Sequence, residues 1–195
     1  YNILMTSISE AKKALKNGSI IIYPTDTVWG IGCDPFNQQS VNKLFEIKGK
    51  KEEGLSILIH NKKLIAKYCI LNPRYDEIID TIFPGPVTVI LKSKVNFAKG
   101  VTKEGKIAIR IPDNKTAISL VEEIPIITTS ANIYGKNVAK DIKEAKNIFG
   151  DLCIYLDGEK PKGVESTIID LTGVSPRVVR IGALYGSILE ELIGR

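Results

Sequence analysis

Histidine, cysteine and long apolar runs are scarce in this sequence, and each scarcity argues against a class of protein. The 195 residues contain one histidine, His60, which argues against a nucleophilic triad. Three cysteines, Cys33, Cys69 and Cys153, are odd in number and lack the paired spacing of zinc ligands. We therefore predict reduced thiols in or near the core and no metal site.

No apolar run approaches the roughly 20 residues of a membrane span, and the first residues lack a signal-peptide pattern. We therefore expect a cytoplasmic protein with no membrane partner. Common nucleotide signatures are also missing: there is no Gly-Lys-Ser/Thr loop, no Gly-x-Gly-x-x-Gly and no kinase set. Any nucleotide site must be built in another way.

The composition that is present is that of a folded globular protein, with 44% hydrophobic and 25% charged residues. This length can bury one good core, so we expect a single domain over 1–195. The formal net charge is +5, from 27 Lys and Arg against 22 Asp and Glu. That excess permits a nucleotide or RNA partner without requiring one, because most of the lysines are expected at a solvated surface.

The stretch 19–59 organises the rest of the chain. It opens with a β-branched and aromatic run, 20–23, which predicts a buried strand that Pro24 ends. Residues 25–27, Thr-Asp-Thr, then place three oxygen-bearing side chains where the chain leaves the sheet. This is a suitable place for a binding site.

Two closely spaced glycines, Gly30 and Gly32, predict positive backbone dihedrals or a close approach of the backbone to a ligand. A helix follows, for which Ser40 is a candidate N-cap and Gly49 a candidate terminator. Lys48 falls in its last turn, just before a basic loop. An anion held between these segments would meet several donors.

The remaining chain alternates short strands with helices. Strands are predicted at 55–59, 87–91, 107–111, 126–132, 153–156, 164–170 and 178–182, and helices near 8–15, 64–68, 75–82, 116–121, 141–149 and 188–192. The polar segment 92–103 is expected to be an exposed loop. This pattern is too irregular for a simple doubly wound sheet and favours an α/β fold with a mixed twisted sheet flanked by helices. If the polar strand ends converge, they line one cationic, hydroxyl-rich cleft suited to phosphate.

Arg110 lies inside one of these apolar runs, and the pattern allows two interpretations. A buried arginine is costly unless a negative or strongly accepting group pairs with it. Alternation along the strand could instead place Arg110 on an exposed face. The sequence alone leaves both open.

Six ordered motifs closely resemble the YrdC-like threonylcarbamoyl-AMP synthases, from about Ser9 to near the C-terminus. They are 23–34 with 47–50 (YPTDTVWGIGCD and IKGK), 83–88 (FPGPVT), 109–112 (IRIP), 130–132 (SAN), 166–170 (STIID) and 180–183 (RIGA). The resemblance implies a twisted, mostly parallel sheet around a large positively charged cleft, without the extra C-terminal domain of longer members. It also implies the reaction of L-threonine, bicarbonate or CO₂ and ATP, with Mg²⁺ carried on the ATP, to threonylcarbamoyl-AMP and pyrophosphate. A partner transferase complex then moves the group to tRNA.

The same resemblance assigns residues. The implied threonine ligands are Thr27, Arg110, Thr128 and Ser166, with Arg110 a partner for the substrate carboxylate. The implied ATP ligands are Lys48, Lys50, Lys106, Ser130, Asn132, Val138 and Arg180. Lys48, Lys50 and Arg110 are the implied catalytic residues, and no protein nucleophile or dedicated metal ligand is implied.

This chain departs from the family pattern around the basic loop. Lys50 stands where arginine is usual, and lysine supplies a point charge in place of a bidentate fork. The loop 51–55 is one residue shorter than usual, and Leu58 occupies the position of a ligand histidine in some members, so that role is not carried to His60.

Two alternatives remain at the level of sequence. One is the carbamoyl-adenylate chemistry used in hydrogenase maturation, which shares the fold but is normally embedded in a longer chain with zinc fingers. The other is a module that binds double-stranded RNA or tRNA without turnover, or binds RNA weakly beside the enzymatic function, since the net charge is positive.

Overall fold

The structure is a computed structural model that describes residues 6–49 and 54–194. These residues form ten strands in one sheet and seven α-helices. The strands are β1 (Ile21–Tyr23), β2 (Gly30–Gly32), β3 (Ser56–Leu58), β4 (Cys69–Ile70), β5 (Val87–Ser93), β6 (Lys106–Arg110), β7 (Ile126–Ser130), β8 (Ile154–Tyr155), β9 (Thr167–Asp170) and β10 (Arg177–Arg180). The helices are α1 (Ile8–Lys16), α2 (Gln38–Lys48), α3 (Ile65–Tyr68), α4 (Asp76–Ile82), α5 (Lys115–Leu120), α6 (Ile142–Phe149) and α7 (Ser187–Ile193).

The sheet has the strand order β10-β9-β5-β6-β3-β7-β2-β1-β8, and β4 pairs with β5. A mixed sheet flanked by helices is therefore confirmed, but its expected mostly parallel character is wrong. Only β1–β8, β3–β6 and β5–β9 pair in parallel, whereas the other six described pairings are antiparallel. The reason is that β1 and β2, β5 and β6, and β9 and β10 are joined without a helical crossover, which makes each pair antiparallel.

Apolar side chains pack on both faces of the sheet. Along β1, Ile22 belongs to the larger core cluster, whereas Ile21 and Tyr23 belong to a smaller one, as expected from alternation along a strand. Helices α2, α3, α4, α6 and α7 cover the larger cluster, and α1 and α5 contribute to the smaller one. The smaller cluster includes residues of β1, β3 and β7 and none of β5, β6, β9 or β10, so α1 and α5 cover only part of their face.

The ends of α2 are set by its local sequence. Gly49 ends the helix in the left-handed region with φ 67°, as predicted, and Lys48 lies in the last turn. The N-cap is Asn37, which accepts a hydrogen bond from the Ser40 backbone N–H (3.1 Å), so the expected cap at Ser40 is wrong. Ser40 instead lies in the first turn and donates its hydroxyl to the Gly18 carbonyl (3.0 Å).

Gly30 and Gly32 form strand β2, and neither has a positive φ. A Cβ added to Gly32 would lie 1.6 Å from the carbonyl oxygen of Ile127 on the neighbouring strand. The close approach required at Gly32 is therefore to a neighbouring strand and not to a ligand.

The segment 92–103 was expected to be an exposed loop, and this is only partly correct. Strand β5 continues to Ser93, and Val101 is buried in the larger cluster. The Val101 carbonyl accepts a hydrogen bond from the Leu55 N–H (2.9 Å), so the segment packs beside the residue that precedes β3.

The cysteines are free and buried, which confirms the prediction of reduced thiols in the core. Burial raises the pKa of Cys33, Cys69 and Cys153 to about 12. Because the thiolate is the reactive form, we expect Ellman's reagent to label the folded protein with much less than one thiol per chain. All three thiols should react once guanidinium unfolds the protein. Rapid labelling of a thiol before unfolding would contradict this burial.

None of the helices formed by the described residues is long and apolar enough to span a bilayer.

Candidate functional site

A polar cavity of about 160 Å³ lies on the sheet face opposite the larger core cluster. Ser56, Thr88 and Thr128 line it, while their strand neighbours Ile57, Val89 and Ile127 belong to the larger cluster. The remaining lining residues are Thr25, Thr27, Val28, Gly30, Gly54, Leu55, Arg110, Thr129, Ser130, Glu165, Ser166, Ile168 and Arg180. The cavity thus occupies the part of this face to which the smaller core cluster does not extend.

The sheet register brings these side chains together from distant parts of the sequence. Ser56 of β3 is paired with Thr128 of β7, and Gly30 of β2 with Ser130. The site therefore depends on correct pairing of β2, β3 and β7, because a slip of one residue would turn the hydroxyls to the other face.

Arg110 is the most deeply placed charge in the cavity, with its side chain 5% exposed. Its Nη2 donates to Oδ1 of Asp26, its Nη1 to Oγ1 of Thr27 (2.7 Å) and its Nε to the Gly85 carbonyl (3.3 Å). Burial lowers the pKa of Arg110, and the adjacent Asp26 carboxylate opposes that shift. Of the two interpretations left open by the sequence, the buried and paired arginine is correct.

The two threonines beside this pair form a hydrogen-bond chain of fixed direction. Thr25 donates its hydroxyl to the Val28 carbonyl (2.7 Å), so the contact between Thr25 Oγ1 and Thr27 Oγ1 (3.1 Å) is donated by Thr27. Thr27 in turn accepts from Arg110. Its own proton is therefore committed, and only an oxygen lone pair remains for a ligand that donates a hydrogen bond.

A second arginine–carboxylate pair lies at the wall formed by β9 and β10. Arg180 Nη1 donates to Oε2 of Glu165 (2.9 Å), and Arg180 also donates to the Ser166 carbonyl from Nε (3.2 Å) and Nη2 (2.9 Å). The Ser166 hydroxyl lies 2.9 Å from that of Thr88. The Arg180 and Glu165 side chains are 41% and 43% exposed, so solvent reaches this pair, unlike the pair at Arg110.

Lys48 joins the end of α2 to the loop that follows β7. Its Nζ donates to the carbonyls of Ser130 (2.7 Å) and Asn132 (2.9 Å) and lies 3.3 Å from Asn132 Oδ1. The Ser130 hydroxyl donates to the same amide oxygen (2.8 Å). Three residues predicted to bind one nucleotide are thus already one hydrogen-bonded unit.

Lys106 lies at the start of β6, outside the lining of the cavity. Its Nζ is 3.3 Å from Oδ2 of Asp170, which is also 3.2 Å from Nη2 of Arg177. The other oxygen of Asp170 accepts from the Thr172 N–H (2.8 Å) and hydroxyl (2.6 Å). Burial alone would raise the pKa of Asp170, but its partners Thr172, Arg177 and Lys106 lower it to about 2.

Asp170 should therefore make folding sensitive to acid. Its folded-state pKa lies below its ordinary value of 3.8, so its stabilisation is complete above about pH 4 and is lost as the pH falls toward 2. We expect Asp170→Asn to lower the free energy of unfolding at pH 7 by about 2 kcal/mol. In urea titrations the difference from wild type should shrink between pH 4 and 2. An equal difference at both pH values would contradict this role of the charge.

Four of the predicted ATP ligands are not among the residues that line the cavity: Lys48, Lys106, Asn132 and Val138. Val138 is half-buried in the segment after β7 and is not in the cavity lining. Lys50 and the shortened part of its loop, 51–53, lie outside the described residues. By contrast, Thr27, Arg110, Thr128, Ser130, Ser166 and Arg180 all line the one cavity.

Sequence reasoning assigned no role to several polar members of the site, among them Asp26 as the partner of Arg110, Glu165 as the partner of Arg180, and Thr88. The signal for Asp26 was its place between two threonines at the end of a strand, but its partner is 84 residues away in the chain. Thr88 lies between Val87 and Val89 of the core, and this alternation places its side chain on the opposite face of the strand.

A second cavity, of about 360 Å³, lies around Pro84, Ile111, Pro112 and Ile118 and is mainly apolar. Lys62 in its lining is paired with Asp80 (2.6 Å). It lacks the cluster of hydroxyls and arginines that suits the first cavity to anions.

Comparison with known proteins identifies similar chains. The Sua5_yciO_yrdC family, described as "Telomere recombination", matches residues 13–182. A threonylcarbamoyl-AMP synthase of Photobacterium profundum is 34% identical over 163 residues, 80% of this chain and 88% of that protein. A threonylcarbamoyl-AMP synthase of Pyrococcus abyssi is 32% identical over 191 residues, 92% of this chain and 55% of that protein.

Among solved structures, the crystal structure of P. abyssi Sua5 complexed with L-threonine is similar, with a TM-score of 0.87 and 29% identity. The match covers 96% of this chain and 58% of that one. The chain therefore spans little more than half the length of either P. abyssi protein.

Proposed function

Because this chain belongs to the Sua5/YciO/YrdC family, we propose that it is an L-threonylcarbamoyladenylate synthase. In this function it joins L-threonine, bicarbonate or CO₂ and ATP to form threonylcarbamoyl-AMP and pyrophosphate, which makes it a nucleotidyltransferase. The observation that carries the proposal is a buried arginine among hydroxyls in a cavity of about 160 Å³. That volume suits a ligand of amino-acid size, since pockets for larger ligands measure about 300 Å³ or more.

Threonine is assigned to this cavity. Its carboxylate pairs with Arg110, whose bonds within the protein use three of its five N–H donors and leave one on each terminal nitrogen. Thr27 offers an oxygen lone pair to the amine, and Thr128 and Ser166 contribute hydroxyls to the wall.

ATP is assigned to the side of the cavity near the basic residues, with its phosphates at Lys48, Ser130, Asn132 and Arg180. Lys50, Lys106 and Val138 complete the assignment from the family pattern. Both cavity arginines are paired with carboxylates in the described structure, so the phosphates would replace Glu165 as the partner of Arg180. The exposure of that pair makes such an exchange inexpensive.

The reaction needs no protein nucleophile. The threonine nitrogen forms a bond to the carbon of CO₂ and loses a proton, and the product is a carbamate. A carbamate oxygen then attacks the α-phosphorus, and the bond from that phosphorus to the β-phosphate oxygen breaks as pyrophosphate leaves. Positioning and positive charge from Arg110, Lys48, Lys50 and Arg180 are the protein's contribution.

Mg²⁺ enters as part of the nucleotide substrate. Among residues 6–49 and 54–194 no group of three or more His, Cys, Asp or Glu could hold a metal ion. The triphosphate itself therefore supplies the ligands for the ion.

The product is a mixed anhydride, which water destroys, so a second protein must take it up. We assign that role to a threonylcarbamoyl-transferase complex acting on tRNA in the cytoplasm. Weak RNA binding by this chain is a secondary expectation based on its net charge.

Pyrophosphate release from purified protein tests the proposal. With ATP and Mg²⁺ present, release should require both L-threonine and bicarbonate, and either one alone should give only background. ATP binding without any release, together with tight and salt-sensitive tRNA binding, would overturn the synthase in favour of an RNA-binding module.

A further inference from the structure

Asp26 is a buried carboxylate directly behind the cavity wall, and one of its oxygens is unsatisfied. Its side chain is 6% exposed, and Oδ1 accepts from Nη2 of Arg110. Oδ2 is buried and has no hydrogen-bond partner. A buried carboxylate oxygen without a donor costs about 1–3 kcal/mol or more, so stability alone does not explain a charged residue at this position.

The two arginine–carboxylate pairs of the cavity differ in a way that bears on their roles. The pair of Arg180 and Glu165 is more than 40% exposed on both sides, so it exchanges readily with solvent or a ligand. The pair of Arg110 and Asp26 is shielded, and Thr27 and the Gly85 carbonyl hold the same guanidinium from other directions. Arg110 is therefore fixed in one orientation before any ligand arrives.

Building on the proposed function, we propose that Asp26 is a positioning residue for the amino-acid substrate. Its carboxylate fixes the Arg110 guanidinium so that the remaining N–H donors face the substrate carboxylate as a rigid pair. A guanidinium held in this way loses little conformational freedom on binding, which strengthens binding. Asp26 lies behind the cavity wall, since it is not among the lining residues, and it acts through Arg110 rather than on the reacting atoms.

Asp26 also stabilises the buried charge of Arg110. Burial lowers the pKa of Arg110, and the carboxylate of Asp26 is the largest influence in the opposite direction. Substitution by asparagine keeps the size and one acceptor oxygen but removes the charge. This variant therefore separates the electrostatic role of Asp26 from its role in packing.

Calorimetry and steady-state kinetics of Asp26→Asn test the positioning role. We expect the Kd and KM for L-threonine to rise about 10- to 100-fold, with kcat and the KM for ATP changed less than about 3-fold. Asp80→Asn is the matched control, because it removes the carboxylate of an exposed pair with Lys62 and should leave threonine binding unchanged. A threonine Kd equal to that of wild type would overturn the inference. Equal losses in threonine binding, ATP binding and kcat that follow a loss of folded protein would also overturn it.

A second measurement needs no substrate. The Nε–H resonance of Arg110 should have a high order parameter in the wild-type protein and a clearly lower one in Asp26→Asn. Equal order in both proteins would overturn the positioning role by itself. If the wild-type protein binds no threonine and releases no pyrophosphate, the proposed function fails, and this resonance still decides whether Asp26 fixes Arg110.

Discussion

Replacing Arg110 by alanine is expected to lower threonine-dependent pyrophosphate release by about 100-fold or more. The substitution removes the guanidinium proposed to donate hydrogen bonds to the threonine carboxylate. In a desolvated site a single well-placed donor is worth about 10²–10³ in rate. It also leaves Asp26 as a buried charge without its partner, which costs about 3–5 kcal/mol. Activity and folding must therefore be measured together, by pyrophosphate release and by thermal unfolding.

A double variant separates these two effects. Arg110→Met with Asp26→Asn removes both buried charges at similar volume, and replacing a whole pair is far less destabilising than removing one partner. We expect its melting temperature to recover most of the loss seen in Arg110→Ala while its activity does not recover. Recovery of activity together with stability would show that Arg110 acts only on folding.

Lys48→Ala is expected to lower pyrophosphate release by about 100-fold, because ATP loses a positive charge beside its phosphates. The Lys48 ammonium holds the carbonyls of Ser130 and Asn132 at the edge of the cavity, so its loss removes a charge and releases the loop together. The KM for ATP should rise and kcat should fall, whereas the Kd for threonine should stay within about 3-fold.

Lys43→Ala is the matched control for that experiment. Lys43 lies on the same helix, α2, and is exposed. Its removal lowers the net charge by the same amount without touching residues 130–132. If Lys43→Ala and Lys48→Ala reduced activity equally, overall charge and not the placement of Lys48 would be responsible.

Local sequence patterns were sufficient to predict most elements of the fold. The run 20–23 gave a strand, and Gly49 ended a helix. These features depend on backbone preferences of neighbouring residues, which sequence reports directly. Strand direction was less accessible, since it depends on which strands pair across the sheet, and the mostly parallel sheet implied by the family resemblance was wrong.

The residues that line the cavity were predicted more accurately than the contacts that bring them together. Polar residues were expected to meet where strands end, and Arg110, Ser130 and Arg180, the last residues of β6, β7 and β10, do line the cavity. Thr88 and Thr128 lie instead within strands, on the face opposite the larger core. Long-range partners were beyond local patterns: Lys48 reaches a carbonyl 82 residues away, and Arg110 reaches Asp26 across 84 residues. Such contacts are set by the register of the whole sheet.

Product identity tests the central claim most directly. The protein would be incubated with ATP, Mg²⁺, ¹⁵N-labelled L-threonine and ¹³C-labelled bicarbonate, and the nucleotides analysed at once by mass spectrometry. The account predicts one adenylate that carries both labels, formed in step with pyrophosphate and absent when either labelled substrate is left out. ATP consumption with no doubly labelled nucleotide would contradict it.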